Sequence, residues 1–147
     1  MAEMGHEFLA RIGKTKLRPG GIEATDWILK KADIKPDSKV LEVACNMGTT
    51  LIHIANKYGC DIIGVDLDEN ALEKAREKIK EKGLEEKIKV MKADAFKLPF
   101  EDASFDVVIN EAMLTMLLGD KKEQALKEYY RVLKPGGIEA TDWILKK

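Results

Sequence analysis

Val40 to Thr50 reads VLEVACNMGTT. An aliphatic run beginning at Lys39 and ending at Ala44 (KVLEVA) has the composition of a strand. Small residues then make a turn as far as Gly48, and Thr49 opens a helix that runs to Tyr58, where Gly59 stands in the capping position. Strand, tight turn and helix in this order begin a βα unit, and the order recurs downstream. Asp61 to Asp66 (DIIGVD) is nearly all apolar, as a strand covered on both faces must be. Asp68 can cap a helix whose Ala71, Leu72, Ala75 and Ile79 keep helical spacing, and Gly83 closes it. Lys87 to Met91 supplies a third strand and Phe105 to Asn110 (FDVVIN) a fourth. Lys121 to Leu133 follows as an amphipathic helix with Ala125, Leu126, Tyr129, Tyr130 and Leu133 on its apolar side, and Lys134-Pro135-Gly136-Gly137 breaks it. Alternating short β-rich and helical runs predict the α/β class with a parallel sheet.

The 147 residues, against roughly 150 for an average domain, predict one domain, and 45% hydrophobic residues suffice for its core. A chain of this size buries about 68% of its unfolded surface, so neither a metal nor disulfides are required for stability. The 25 Lys+Arg against 26 Asp+Glu leave a net charge of -1, which offers no electrostatic case for nucleic acid or an anionic membrane. Small molecules are the expected partners. No apolar run approaches the length of about 20 residues that a membrane span requires, and the charged start MAEMGHEFLARIGK lacks a signal peptide's apolar stretch. The expected location is the cytoplasm. Cys45 and Cys60, with two histidines in the whole chain, form neither a disulfide framework nor zinc-ligand spacing and read as free buried thiols. Abundant Lys and Glu with a single glutamine, Gln124, lean toward a heat-adapted source.

Pro19 to Lys31 reads PGGIEATDWILKK, and Pro135 to Lys147 repeats it letter for letter. One step back, Leu17-Arg18 compares with Leu133-Lys134. Solenoid repeats drift and need at least three copies of about 20 to 50 residues, so the pair is not a solenoid. It looks like an engineered joint or a recombination through the shared PGG, with natural duplication as the alternative. The first copy reads as helix over Ile22 to Ala32, since Ala24, Trp27, Ile28 and Lys31 recur at three and four. The second stands where this topology demands a fifth strand, which Ile138 to Asp142 would have to supply. Glu139, Thr141 and Trp143 would then lie on one face and Ile138, Ala140 and Asp142 on the other, so helix and strand both remain open. The expected organisation is an arm or lid over residues 1–18 that carries Phe8, Leu9 and Ile12, a core over 19–137, and a duplicated terminal segment over 138–147, the copy of 22–31.

The turn from Ala44 to Gly48 allows close approach to a ligand, and the helix N-terminus beyond it offers N–H groups and positive dipole charge. It is not the dinucleotide fingerprint, because Ala44 and Asn46 occupy glycine positions of G-x-G-x-x-G; this counts against a nicotinamide-dependent oxidoreductase. A tight turn with no ligand is the plain alternative. Asp66 ends the second strand, where an acid can accept hydrogen bonds from both hydroxyls of a ribose; otherwise it is a turn residue or shares capping with Asp68. Asp94-Ala95-Phe96 follows the third strand and Asn110-Glu111 the fourth. Polar groups at the ends of four successive strands point to one crevice. Cys45 has no nearby base to make it a nucleophile and reads as packing. His53 reads as a half-buried packing residue, Met113 and Met116 as core or pocket wall, and the Lys and Glu runs between Glu69 and Lys89 as a solvated helix surface.

Across about Gly20 to Gly137 the stretches VLEVACNMGTT, GVDLDENALEKA, DAFKLPFEDASFDVVINEAM and EYYRVLKPGG resemble the class I S-adenosylmethionine-dependent methyltransferases, especially small-molecule enzymes similar to those of quinone biosynthesis. The resemblance implies a Rossmann-like three-layer α/β/α sandwich with a mostly parallel sheet of seven strands, and S-adenosylmethionine bound across the ends of the first, second and fourth. It implies Glu42 near the methionine amino group, and Ala44, Asn46 and Gly48 along the turn. Asp66 would take the ribose, Leu67 would flank the adenine, Asp94 and Ala95 would meet its edge, and Asn110 would lie near the methionyl part. Glu111 is placed to act as a base if the acceptor needs one. Only the duplicated residues follow Gly137, so the sheet is expected to be cut short after its fourth strand. Open edges would then favour a homo-oligomer, through an exposed edge or a swapped terminal segment. A catalytically silent cofactor-binding scaffold is the alternative.

Overall fold

A computed structural model describes residues 26, 29–110, 119–140 and 144–146. In chain order the elements are β1 (Lys39–Val43), α1 (Thr49–Tyr58), β2 (Asp61–Asp66), α2 (Glu69–Glu81), β3 (Ile88–Lys92), β4 (Phe105–Ile109), α3 (Gly119–Val132), β5 (Leu133–Ala140) and β6 (Ile144–Lys146). The arm expected over residues 1–18 lies outside the described residues, as do Glu111, Met113 and Met116.

The strands form one sheet in the order β3-β2-β1-β4-β5-β6. β1 to β5 run parallel and β6 is antiparallel to β5. Successive side chains of a strand point to opposite faces, and the core divides accordingly. Val40, Ile62, Ile88 and Val107 pack with Leu51 and Ile54 of α1 and with Leu72, Ala75 and Ile79 of α2. Leu41, Val43, Val65 and Val108 pack with Ala125, Tyr129 and Val132 of α3. The three-layer α/β/α sandwich is therefore present. Among the described residues no helix is long and apolar enough to cross a membrane.

The expectation of four strands is corrected by β5, and the open choice after Gly137 falls to strand. Val107 lies opposite Ile138, Val108 opposite Glu139 and Ile109 opposite Ala140. Between that stretch and the Phe105–Leu133 pair the ladder shifts register, so Lys134 to Gly137 form a bulge rather than a break. Gly136 has φ 84, and a Cβ on Gly137 would stand 2.9 Å from the carbonyl oxygens of Asp106 and Lys134. Two glycines thus let α3 pass directly into β5.

Where both copies of the repeat are described, they take different structures. Asp26 and residues 29–32 are helical, whereas Leu145 and Lys146, the counterparts of Leu29 and Lys30, are extended in β6. In the helical copy Leu29 is fully buried in the core shared with α1 and α2. In the extended copy the open backbone groups along β4 are met by β5, and those of β5 by β6. Tertiary context overrides a weak local preference.

Gly64, the mid-strand glycine of β2, sets how closely α1 approaches the sheet. A Cβ there would fall 2.6 Å from Leu51 Cδ1 and 2.9 Å from Cys45 Sγ. Gly64→Ala is expected to destabilise the fold by about 1–3 kcal/mol through overpacking. Urea denaturation checks this, and an unchanged midpoint would show that α1 yields without cost.

Candidate functional site

After β1 the chain takes a left-handed backbone at every second residue, with φ 60 at Ala44, 53 at Asn46 and 82 at Gly48. Ala44 and Asn46 are the two that occupy glycine positions of the dinucleotide fingerprint. The left-handed conformation costs an alanine roughly 1–2 kcal/mol, and asparagine tolerates it better. The turn therefore keeps a glycine-type backbone without two of its glycines. Gly48 precedes α1 and offers no side-chain acceptor, and the first turn of α1 holds no acid. Its N–H groups and the positive end of its dipole face the carboxyl edge of the sheet. α2 differs, because Asp68 accepts hydrogen bonds from the N–H groups of Asn70 and Ala71.

Asp66 joins three strand ends. Its Oδ2 accepts from Asn46 N at 2.8 Å, its Oδ1 from Asp68 N at 2.9 Å, and its backbone oxygen from Ala93 N at 3.1 Å. Beside it Leu67 is 58% exposed, the one large apolar side chain among the described residues left in solvent to that degree. Glu42 is buried in β1, in register between Gly64 and Ile109. Asp94 Oδ1 accepts from Phe96 N at 2.9 Å, and Ala95 is buried next to it. Asn110 follows β4, is fully buried, and donates through Nδ2 to the Tyr129 hydroxyl. Glu42, Asp66, Asp94 and Asn110 thus belong to four neighbouring strands and share one end of the sheet; Glu111 lies outside the described residues.

Cys45 and Cys60 are free and buried. Burial, with the carboxylates of Glu42 and Asp66 nearby, pushes the Cys45 thiol far up, which keeps it protonated and suits packing rather than nucleophilic attack. His53 is half-buried on α1, where its Nε2 meets Asp26 Oδ1 at 2.6 Å and ties the first copy of the repeat to this helix. That bond holds the Asp26 carboxyl below its usual range.

Sequence reading missed a clamp on α3. Arg131 donates to Glu128 Oε2 at 2.7 Å, to the Phe100 carbonyl at 2.7 Å, to Asp102 Oδ1 at 2.9 Å and to the Leu98 carbonyl at 2.9 Å. Glu128 in turn accepts from Leu98 N at 2.7 Å. The clamp fixes the chain that leads from Asp94 into β4. It joins LPFEDASFD to EYYRVLKPGG, and its only sequence signal is an acid and an arginine three apart on a helix. Most of their partners are backbone groups that carry no sequence signature.

The methyltransferase domain family matches residues 40–137, from β1 through the bulge glycines. The chain belongs to the class I S-adenosylmethionine-dependent methyltransferase family. An uncharacterized protein of Haemophilus influenzae is 63% identical over 139 residues, which cover 95% of this chain and 55% of that protein. The demethylmenaquinone methyltransferase of Bacillus cytotoxicus is 40% identical over 111 residues, covering 71% of this chain and 44% of that enzyme. Among solved structures, the PH0226 protein from Pyrococcus horikoshii superimposes with a TM-score of 0.77 at 31% identity, over 92% of this chain and 64% of that one. The methyltransferase domain here thus spans about half the length of these curated relatives.

Two outcomes follow from the geometry. Ala44→Gly is expected to raise stability by about 1 kcal/mol, because glycine removes the left-handed strain; chemical denaturation checks it, and a loss would mean that the Ala44 methyl packs usefully. The Arg131 hydrogen bond, helped by Leu98 N–H, holds the Glu128 carboxyl below its ordinary value of 4.5. The stabilisation it gives is complete above that value and is lost as pH falls through and below it. Glu128→Gln should therefore flatten the decline of stability below about pH 4.5. Acid titrations of wild type and variant that run parallel would remove Glu128 from that decline.

Proposed function

We propose that this domain binds S-adenosylmethionine across the carboxyl ends of β1 to β4 and directs its methyl group to a small-molecule acceptor. The observation that carries the reading is the Asp66 carboxylate, held by N–H groups from the two turns that flank it and set beside exposed Leu67. Each Asp66 oxygen accepts one of these bonds and has capacity for a second, which suits the two hydroxyls of a ribose. An exposed leucine next to that carboxylate suits a flat apolar ring. Asp94 and Ala95 are the groups for the edge of that ring, the buried carboxylate of Glu42 matches an ammonium, and Asn110 serves the methionyl chain. The turn of Ala44, Asn46 and Gly48, with the α1 N-terminus behind it, suits a carboxylate.

Bound there, the cofactor supplies a methyl carbon already activated by its sulfonium sulfur. The chain's own work is to orient that carbon and exclude water. No dedicated base is obligatory, and Glu111 is the candidate where the acceptor must lose a proton. Similarity to a demethylmenaquinone methyltransferase supports a small organic acceptor. A second reading, favoured by a Leu-Lys pair of the repeat that is helical in one copy and extended in the other, is a cofactor-binding scaffold in which copies exchange the repeated segment and form a homo-oligomer.

Calorimetric titration with S-adenosylmethionine, S-adenosylhomocysteine and NAD, alongside the mass in solution, separates the readings. Binding of the two sulfur compounds and not NAD is expected. NAD binding alone would overturn the proposal, whereas binding without turnover by a species of doubled mass would favour the scaffold. Asp66→Ala is expected to weaken S-adenosylhomocysteine binding by about 1–3 kcal/mol; unchanged affinity would remove Asp66 from the site.

A further inference from the structure

We infer that Tyr129 is a positioning residue for the cofactor crevice, its hydroxyl setting how the Asn110 side chain is presented at the end of β4. The inference rests on the cofactor reading above and adds a residue to it. Tyr129 heads the largest fully buried side chains and packs in the core formed by Leu41, Val43, Val65 and Val108. A phenylalanine would fill the same volume without placing a hydroxyl in an apolar core, where that group costs stability unless it is hydrogen-bonded. The hydroxyl meets Asn110 Nδ2.

Asn110 is fully buried and is the first residue beyond β4, at the strand end assigned to the methionyl chain. The terminal torsion of an asparagine is broad, so packing alone does not set its amide plane. A hydrogen bond to a rigid ring restricts it. The ring is itself held in place. One residue before it Glu128 accepts from Leu98 N, and two residues after it Arg131 donates to the carbonyls of Leu98 and Phe100. The next backbone links, Ala103 N to Arg131 O at 2.9 Å and Ser104 N to Val132 O at 2.8 Å, fix the same turn of α3 against the approach to β4. One helical turn therefore registers both the loop after Asp94 and the amide after β4.

The test is a double-mutant cycle read by calorimetric titration with S-adenosylhomocysteine, with urea denaturation of each variant. Tyr129→Phe is expected to weaken binding about five- to twentyfold, Asn110→Ala to weaken it at least as much, and the double variant to be no weaker than Asn110→Ala alone. Ala125→Gly, which loosens the same helix at a buried site and removes neither partner of the Tyr129–Asn110 hydrogen bond, should lower stability and leave affinity unchanged. Unchanged affinity in Tyr129→Phe, with Asn110→Ala still weakened, would overturn the inference and leave the cofactor reading standing. Equal weakening in Ala125→Gly, or multiplicative losses in the double variant, would also overturn it. Absence of binding by the wild type would overturn the cofactor reading itself.

Discussion

Parallel pairing of β1 with β2 on one side and β4 on the other is the constraint on which the site depends. Lys39 to Val43 pair with Asp61 to Val65, and Val40 to Glu42 pair with Val107 to Ile109. A parallel ladder leaves every strand pointing the same way, so the chain must cross back between strands by helix or loop. All the strand exits then gather at one edge. Glu42, Asp66, Asp94 and Asn110 stand along that edge because each lies near or just past the end of a strand. Interior packing enforces the register: a one-residue slip of β1 would turn Val40 and Glu42 to the wrong face and expose Leu41 and Val43 to the α1 side.

That edge has two kinds of support. Its centre, at β1 and β2, is held by main-chain geometry, through the left-handed turn at Ala44 and Asn46 and the bond from Asn46 N to Asp66. The connection from β3 to β4 is held by side chains of α3, with the Arg131–Glu128 clamp on the loop and Tyr129 on Asn110. The first support depends on backbone conformation and tolerates Asn46, whose residue type enters the left-handed region readily. The second depends on one helix staying seated, which explains why a charged pair occupies its partly exposed side while its opposite face is buried in Ala125, Tyr129 and Val132.

Much of this was legible because burial on both faces and capping leave plain marks. Asp61–Asp66 and Thr49–Tyr58 could be bounded to the residue, since an apolar run between Gly59 and Asp68 has one reading and Gly59 indeed ends α1 at φ 69. Asp66 and Asp94 stood out as acids at strand ends. Arg131 did not, because its partners at Leu98 and Phe100 are carbonyls that any residue could supply. Tyr129 read only as part of an apolar stripe, since the partner of its hydroxyl is brought near by the packing of α3 on β4. Ala44 and Asn46 read as lost glycines, whereas the backbone shows that the conformation survives the change of side chain.

The repeat shows where local reading stops. Leu29-Lys30 and Leu145-Lys146 are the same dipeptide in the same sequence context, yet one is helix and the other strand. No property of those residues decides between the two; the available partner does. Without β5, β4 would be an edge strand with unpaired backbone groups along its length. Ile109 lies opposite Ala140, so the flank of β4 immediately before Asn110 is covered by repeated sequence in its extended form. The end of β4 that leads to Asn110 thus depends on pairing with a segment of the repeat. In its extended form this segment pairs with β4 on one side and β6 on the other, and Gly136 and Gly137 make possible the bulge in its ladder with β4.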